Sequence, residues 1–183
     1  MSRKIRIVGF TGNKRHDSYN KAVLQSAHNV LPAHAELEII TVDDLPAFVQ
    51  TDEMPESVER FRKQLQQADA VLIATPEYKG LLPTGLQNAL AWALHHEGEN
   101  ALAAKPTALM GVGRQHGSAQ QHLRQVLADQ QVSVLAEPTV YVSAHDKFDQ
   151  DGNLAHKETE LQIGALLDAL VAVADEQRSA LVG

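Results

Sequence analysis

Residues 70–94 read AVLIATPEYKGLLPTGLQNALAWAL, and the order of chemistry within that stretch decides the fold. Ala70 to Thr75 is an unbroken apolar run of strand length, the pattern of a strand covered on both sides, as strands are in parallel sheets. Pro83 to Leu94 then carries apolar residues at helical spacing. A proline near the first helical position is tolerated because the N–H it lacks would have no partner there. Between strand and helix stand Pro76, Glu77, Tyr78, Lys79 and Gly80. A proline, an acid, an aromatic and a lysine are a poor way simply to turn a corner, so this strand exit is a candidate site.

The same alternation continues in both directions. Lys4 to Phe10 reads as a strand, Tyr19 to Val30 as a helix ending before Pro32, Glu36 to Val42 as an alternating strand, and Pro55 to Gln67 as a charged amphipathic helix. Beyond the central unit come a strand over Thr107 to Val112, a helix over Ser118 to Asp129, a strand over Ser133 to Val142 interrupted by Pro138, and a long helix over Thr159 to Glu176. Five strands alternating with five helices predict an α/β fold with a five-stranded parallel sheet and helices on both faces, because parallel neighbours need crossover connections. No linker or repeat divides residues 1–183, so a single domain is expected.

Composition narrows the function classes. The 183 residues are 44% hydrophobic but only 4% aromatic, so the core is expected to be built from Ala, Val, Leu and Ile. A net charge of −7 argues against nucleic acid as the main partner. The absence of cysteine rules out a disulfide framework and a thiolate zinc site. The N-terminal stretch lacks a long apolar region and the most apolar tract, near the C-terminus, is too short to span a bilayer; a cytoplasmic protein without membrane insertion is expected.

In such sheets ligands bind outside the carboxyl ends of the strands, which selects three loops. The first, after Gly12, carries Asn13, Lys14, Arg15, Ser18 and Asn20 and leads into a helix, whose free N–H groups and positive end favour an anion. Asp17 or Ser18 could equally serve as an ordinary helix cap. The second is the Pro76–Gly80 loop, whose backbone could meet the edge of a flat heteroaromatic while Tyr78 offers a ring face; a surface pair of Glu77 and Lys79 is the plainer alternative. The third, with Gly111, Gly113 and Gly117, imitates a dinucleotide fingerprint together with Glu137, but its spacing is one residue too long. Asp149, Asp151, Asn153 and Glu160 occupy EF-hand-like positions, yet Leu154 stands where that loop needs glycine, so a turn is expected. His95 and His96, adjacent at a helix end, point apart and are not a metal pair.

These segments resemble a known family. Gly12 to Asn20 (GNKRHDSYN) is similar to the GSxRxxSxN phosphate loop of NAD(P)H-dependent FMN reductases with a flavodoxin-like fold, and Thr75 to Trp92 is similar to their TPEYNGSxPGxLKNAxDW segment. Ala119, Gln120, Leu123 and Arg124 match the helix after the family's glycine loop, and Phe148 to Leu154 matches its F-D-x-D-G-x-L turn. The resemblance implies a flavodoxin-like three-layer sandwich that binds FMN and passes hydride from NAD(P)H to flavins, quinones or similar small-molecule acceptors. It implies no catalytic side chain, the chemistry belonging to flavin N5, and a homodimer or homotetramer. On the same basis Asn13, Arg15, Ser18 and Asn20 would hold the FMN phosphate. Pro76, Glu77, Tyr78, Lys79 and Gly80 would line one edge of the ring, and Gly113, Arg114 and Gly117 the other.

The chain departs from that pattern at the ring shelf, where Lys79 replaces asparagine and Leu81 replaces serine, and at Asn13 and Ser118. Two rival functions stand beside it: a non-catalytic flavodoxin-type electron carrier, and a dinucleotide-binding sensor that uses the Gly111 loop and has lost flavin chemistry.

Overall fold

The computed structural model describes residues 3–12, 19–51, 53–76, 80–95, 100–113, 117–142 and 147–182. Strands β1 (Ile5–Thr11), β2 (Ala35–Ile39), β3 (Ala70–Ala74), β4 (Thr107–Val112) and β5 (Val140–Val142) form one sheet in the order β2-β1-β3-β4-β5. Every pairing is parallel. Helices α1 (Tyr19–Ser26), α2 (Glu56–Gln67), α3 (Thr84–His95) and α4 (Ser118–Asp129) lie in the crossovers, and α5 (Lys157–Val182) follows β5.

Alternation along the strands divides the core into two layers. Ile5 and Ile7 of β1 and Ala70, Leu72 and Ala74 of β3 face α1 and α5, where Val23, Leu24, Ile163, Leu167 and Leu170 cover them. Val8 and Phe10, with Val71 and Ile73, face the opposite side and are covered by α2, α3 and α4 through Phe61, Leu86, Leu90 and Leu123. A sheet buried on both faces accounts for the unbroken apolar run of β3.

Side chains close the helix ends. Glu56 and Glu59 complement the positive end of α2, and the Pro55 carbonyl accepts the N–H groups of Val58 and Glu59 at 2.9 Å each. At the other end of α2, the Lys105 ammonium donates to the carbonyls of Gln66 at 2.9 Å and Ala68 at 2.7 Å, and burial pushes its pKa down. The buried Arg62 donates to the carbonyls of Trp92 and Ala93 near the end of α3. On the sheet's β2 edge, Arg6 bonds Glu38 at 2.6 Å and holds that carboxyl below its usual range.

Two elements differ from the sequence expectation. The helix from Tyr19 tightens into a 3-10 turn over Ala27–Val30, where the Ser26 hydroxyl bonds back to the Val23 carbonyl at 2.8 Å. The fifth strand, expected over Ser133 to Val142, is regular only at Val140–Val142; an isolated bridge from Val134 to Thr107 is what pairs upstream. Pro138 lacks a donor and follows a cis bond from Glu137. The intervening stretch is held by side chains of α4 instead: Arg124 donates to the Leu135 carbonyl and Gln120 to the Val140 carbonyl.

Candidate cofactor site

The strand order reverses direction between β1 and β3, so the crevice at their carboxyl ends is the expected ligand position in this topology. Register carries the exits of the neighbouring strands to the same edge: Thr11 lies beside Ala74, Ala74 beside Met110, and Val112 beside Val142. The start of α3 is pressed onto the exit of β1. A Cβ on Gly12 would fall 2.1 Å from the Leu86 nitrogen, so only glycine fits there.

Asn20 stands in the first turn of α1 and is 3% exposed. Its Oδ1 accepts the N–H of Val112 at 3.1 Å, a buried bond across 92 positions of sequence. Pro76 stands two residues beyond the end of β3. Gly80 has φ +75, and a Cβ placed on it would lie 3.6 Å from that of Ser118, so the loops after β3 and β4 meet at this point. Gly113 donates its N–H to the Val142 carbonyl at 3.0 Å. Gly117 caps α4 in the left-handed conformation, φ 72 and ψ 23, against the Tyr141 ring. Five of the sequence-selected residues (Asn20, Pro76, Gly80, Gly113 and Gly117) are therefore gathered on one edge. Asn13, Arg15, Ser18, Glu77, Tyr78, Lys79 and Arg114 lie outside the described residues.

Sequence reasoning missed Thr11. It is 7% exposed at the end of β1, and its buried Oγ1 has no hydrogen-bond partner among the described residues. A hydroxyl as the last residue of an apolar strand was the available signal. Gly111, counted in the third candidate loop, is required by packing: a Cβ there would fall 2.2 Å from the Thr75 carbonyl oxygen. The EF-hand-like segment is a turn in which Asp149 accepts the N–H groups of Asp151 at 2.9 Å and Asn153 at 2.8 Å, and the Phe148 ring lies against Tyr19 at the start of α1.

Residues 5–147 match the family described as NADPH-dependent FMN reductase. The chain belongs to this family. It is 36% identical over 177 residues to an NAD(P)H-dependent FMN reductase of Pseudomonas aeruginosa, covering 93% of this chain and 95% of the relative. It is 31% identical over 185 residues to a 2-hydroxy-1,4-benzoquinone reductase of a Burkholderia species, covering 97% and 100%. The solved structure of FerB, a flavoenzyme NAD(P)H:(acceptor) oxidoreductase from Paracoccus denitrificans, superposes with a TM-score of 0.81 at 27% identity, covering 93% of this chain and 97% of that one. The fold is thus the flavodoxin-like sandwich of FMN reductases.

The described edge fits an FMN reductase's cofactor. Among the described residues the Thr11 hydroxyl has no partner, the positive ends of α1 and α4 both open onto this edge, and Gly80 and Gly117 carry positive φ beside it.

Proposed function

We propose that this chain is an FMN-dependent NAD(P)H oxidoreductase that reduces flavins, quinones or similar small acceptors in two half-reactions at one site. The observation that carries the reading most is the meeting of three strand exits beside the switch point, with a buried Thr11 hydroxyl at one of them that has no partner among the described residues. Bound FMN supplies the hydride chemistry, taking reducing equivalents from NAD(P)H and delivering them to the acceptor.

The chain's own residues bind and orient. Asn13, Arg15, Ser18 and Asn20 hold the phosphate, with the N-terminal end of α1 adding its dipole and Arg15 able to fork onto two oxygens. Charge-assisted hydrogen bonds there supply about 4–6 kcal/mol together, at about 1.5–3 kcal/mol each. Micromolar affinity needs about 8 kcal/mol net, so the ring contacts have to contribute as well. Pro76, Glu77, Tyr78, Lys79 and Gly80 supply them along one ring edge, and Gly113, Arg114 and Gly117 along the other. No side chain is required as an acid or base.

Residues 1–183 act as a single domain in a cytoplasmic homodimer or homotetramer, a reading supported by the family. Among the described residues no helix is long and apolar enough to cross a membrane.

The visible spectrum of purified protein, taken after adding FMN and desalting, tests the reading. A retained flavin band that NAD(P)H bleaches under nitrogen, and that a quinone restores, is the expected result. A colourless protein overturns it.

A further inference from the structure

The β3–β4 ladder ends at Ala74 paired with Met110, and the Thr75 N–H still donates to the Met110 carbonyl at 2.9 Å. Met110 therefore faces β3 with its hydrogen-bonding groups, and Val112, two residues on, faces the same side. β3 has left the sheet by then: Pro76 follows, and the Thr75 carbonyl oxygen is packed so closely on Gly111 that a Cβ there would lie at 2.2 Å. The Val112 N–H takes the Asn20 carboxamide oxygen instead. A side chain from the first turn of α1 occupies the place of a strand partner.

We propose that Asn20 is a positioning residue that registers the phosphate-binding end of α1 with the β4 exit leading to the ring-contacting loop, so that ring binding depends on it as well as phosphate binding. The proposal rests on the FMN reading above. Val112 can only donate, so the amide's oxygen is committed to β4 and its NH2 is the one group it can offer elsewhere. Removing the side chain leaves a buried N–H without an acceptor at the point where Gly113 begins its run toward Gly117. A residue that only ligated phosphate would affect FMN and leave a phosphate-free flavin untouched.

Three measurements on wild type, Asn20→Ala and Asn20→Asp separate these roles: backbone amide exchange of Val112 in flavin-free protein, FMN affinity, and riboflavin affinity with its visible circular dichroism. Wild type is expected to protect the Val112 amide. Asn20→Ala is expected to lose that protection and to bind both FMN and riboflavin at least about tenfold more weakly. Asn20→Asp keeps an oxygen in the same position, so Val112 protection and the dichroism of bound riboflavin persist, with riboflavin affinity within about twofold of wild type. Its FMN affinity falls, because a donor has become an anion beside the phosphate.

Asn20→Ala that weakens FMN alone overturns the proposal, as does Asn20→Asp that weakens riboflavin as much as alanine does. If Asn20→Ala does not fold, Asn20→Leu, of similar size and without an acceptor, takes its place with the same two outcomes. A wild-type protein retaining neither flavin overturns the functional reading instead. Val112 exchange then judges the brace, and equal exchange in wild type and Asn20→Ala overturns it.

Discussion

The indole N–H of Trp92 donates to the carbonyl of Pro46 at 2.8 Å. One turn earlier in α3, Asn88 grips the same loop at two points, donating to the Pro46 carbonyl at 2.9 Å and accepting the Phe48 N–H at 2.7 Å. The Phe48 ring then meets Trp92 edge-on, with centroids 4.9 Å apart. The family-like asparagine and tryptophan of this helix thus fasten the segment after β2 to the helix that begins beside the cofactor site. Trp92→Phe keeps most of the ring packing and leaves the carbonyl one donor short, a cost of about 1–2 kcal/mol. The melting temperature should fall by about 2–4 °C for each kcal/mol in a chain of this length. Trp92→Ala adds a core cavity and should cost about 3–5 kcal/mol. Thermal melts of the two variants check the order; equal losses would show that the indole hydrogen bond, and not the ring, carries the contact.

Gly111→Ala should be severely damaging for so small a substitution. Its new Cβ meets the Thr75 carbonyl oxygen at 2.2 Å, and relief would require β3 and β4 to part. A loss of about 3 kcal/mol or more is expected. Gly152→Ala is the control: nothing lies within 4 Å, so only its φ of +81 opposes a side chain, at about 1–2 kcal/mol. Urea denaturation of both proteins tests the contrast, and comparable midpoints would contradict the packing argument.

The parts that were legible in the sequence are those fixed by local pattern. The apolar run of Ala70 to Ala74 and the helical spacing from Pro83 onward are each written within a dozen residues. The pairing of Asn20 with Val112 is not, because an amide offers a donor and an acceptor and nothing near Asn20 says which is used 92 positions away. Composition misled at the fifth strand. Val132 to Leu135 is β-rich, yet Pro138 interrupts the ladder and Gln120 and Arg124 of α4 take over as partners. Gly111 looked like part of a ligand loop because sequence carries no information on how near the Thr75 carbonyl passes.

The Asp149 turn should loosen in acid. Its carboxylate accepts the backbone N–H and the side-chain amide of Asn153 and the N–H of Asp151, and these bonds hold its pKa below the ordinary 3.8. A depressed carboxyl pKa stabilises fully above the unfolded value and loses that stabilisation as pH falls through the folded one. The amides of Asp151 and Asn153 should therefore shift and exchange faster as pH drops below 3.8. Asp149→Asn retains an acceptor oxygen and should flatten that response. An NMR titration of the two amides decides, and an acid shift that persists in the asparagine variant would assign it to another carboxyl.

Lys79 is the departure from the family pattern with the clearest electrochemical consequence. At the ring edge proposed for it, its ammonium would stabilise an anion more than a neutral molecule, favouring the anionic reduced flavin and raising the reduction potential. Lys79→Asn, which restores the family's residue, should lower the midpoint potential of the bound flavin. A change of 1.4 kcal/mol corresponds to about 30 mV in a two-electron couple. Equilibration with a reference dye under nitrogen measures it directly. The shift should shrink at high salt if the ammonium is exposed and persist if it is enclosed by the loop. A potential that does not change in Lys79→Asn would show that the lysine's charge does not act on the flavin.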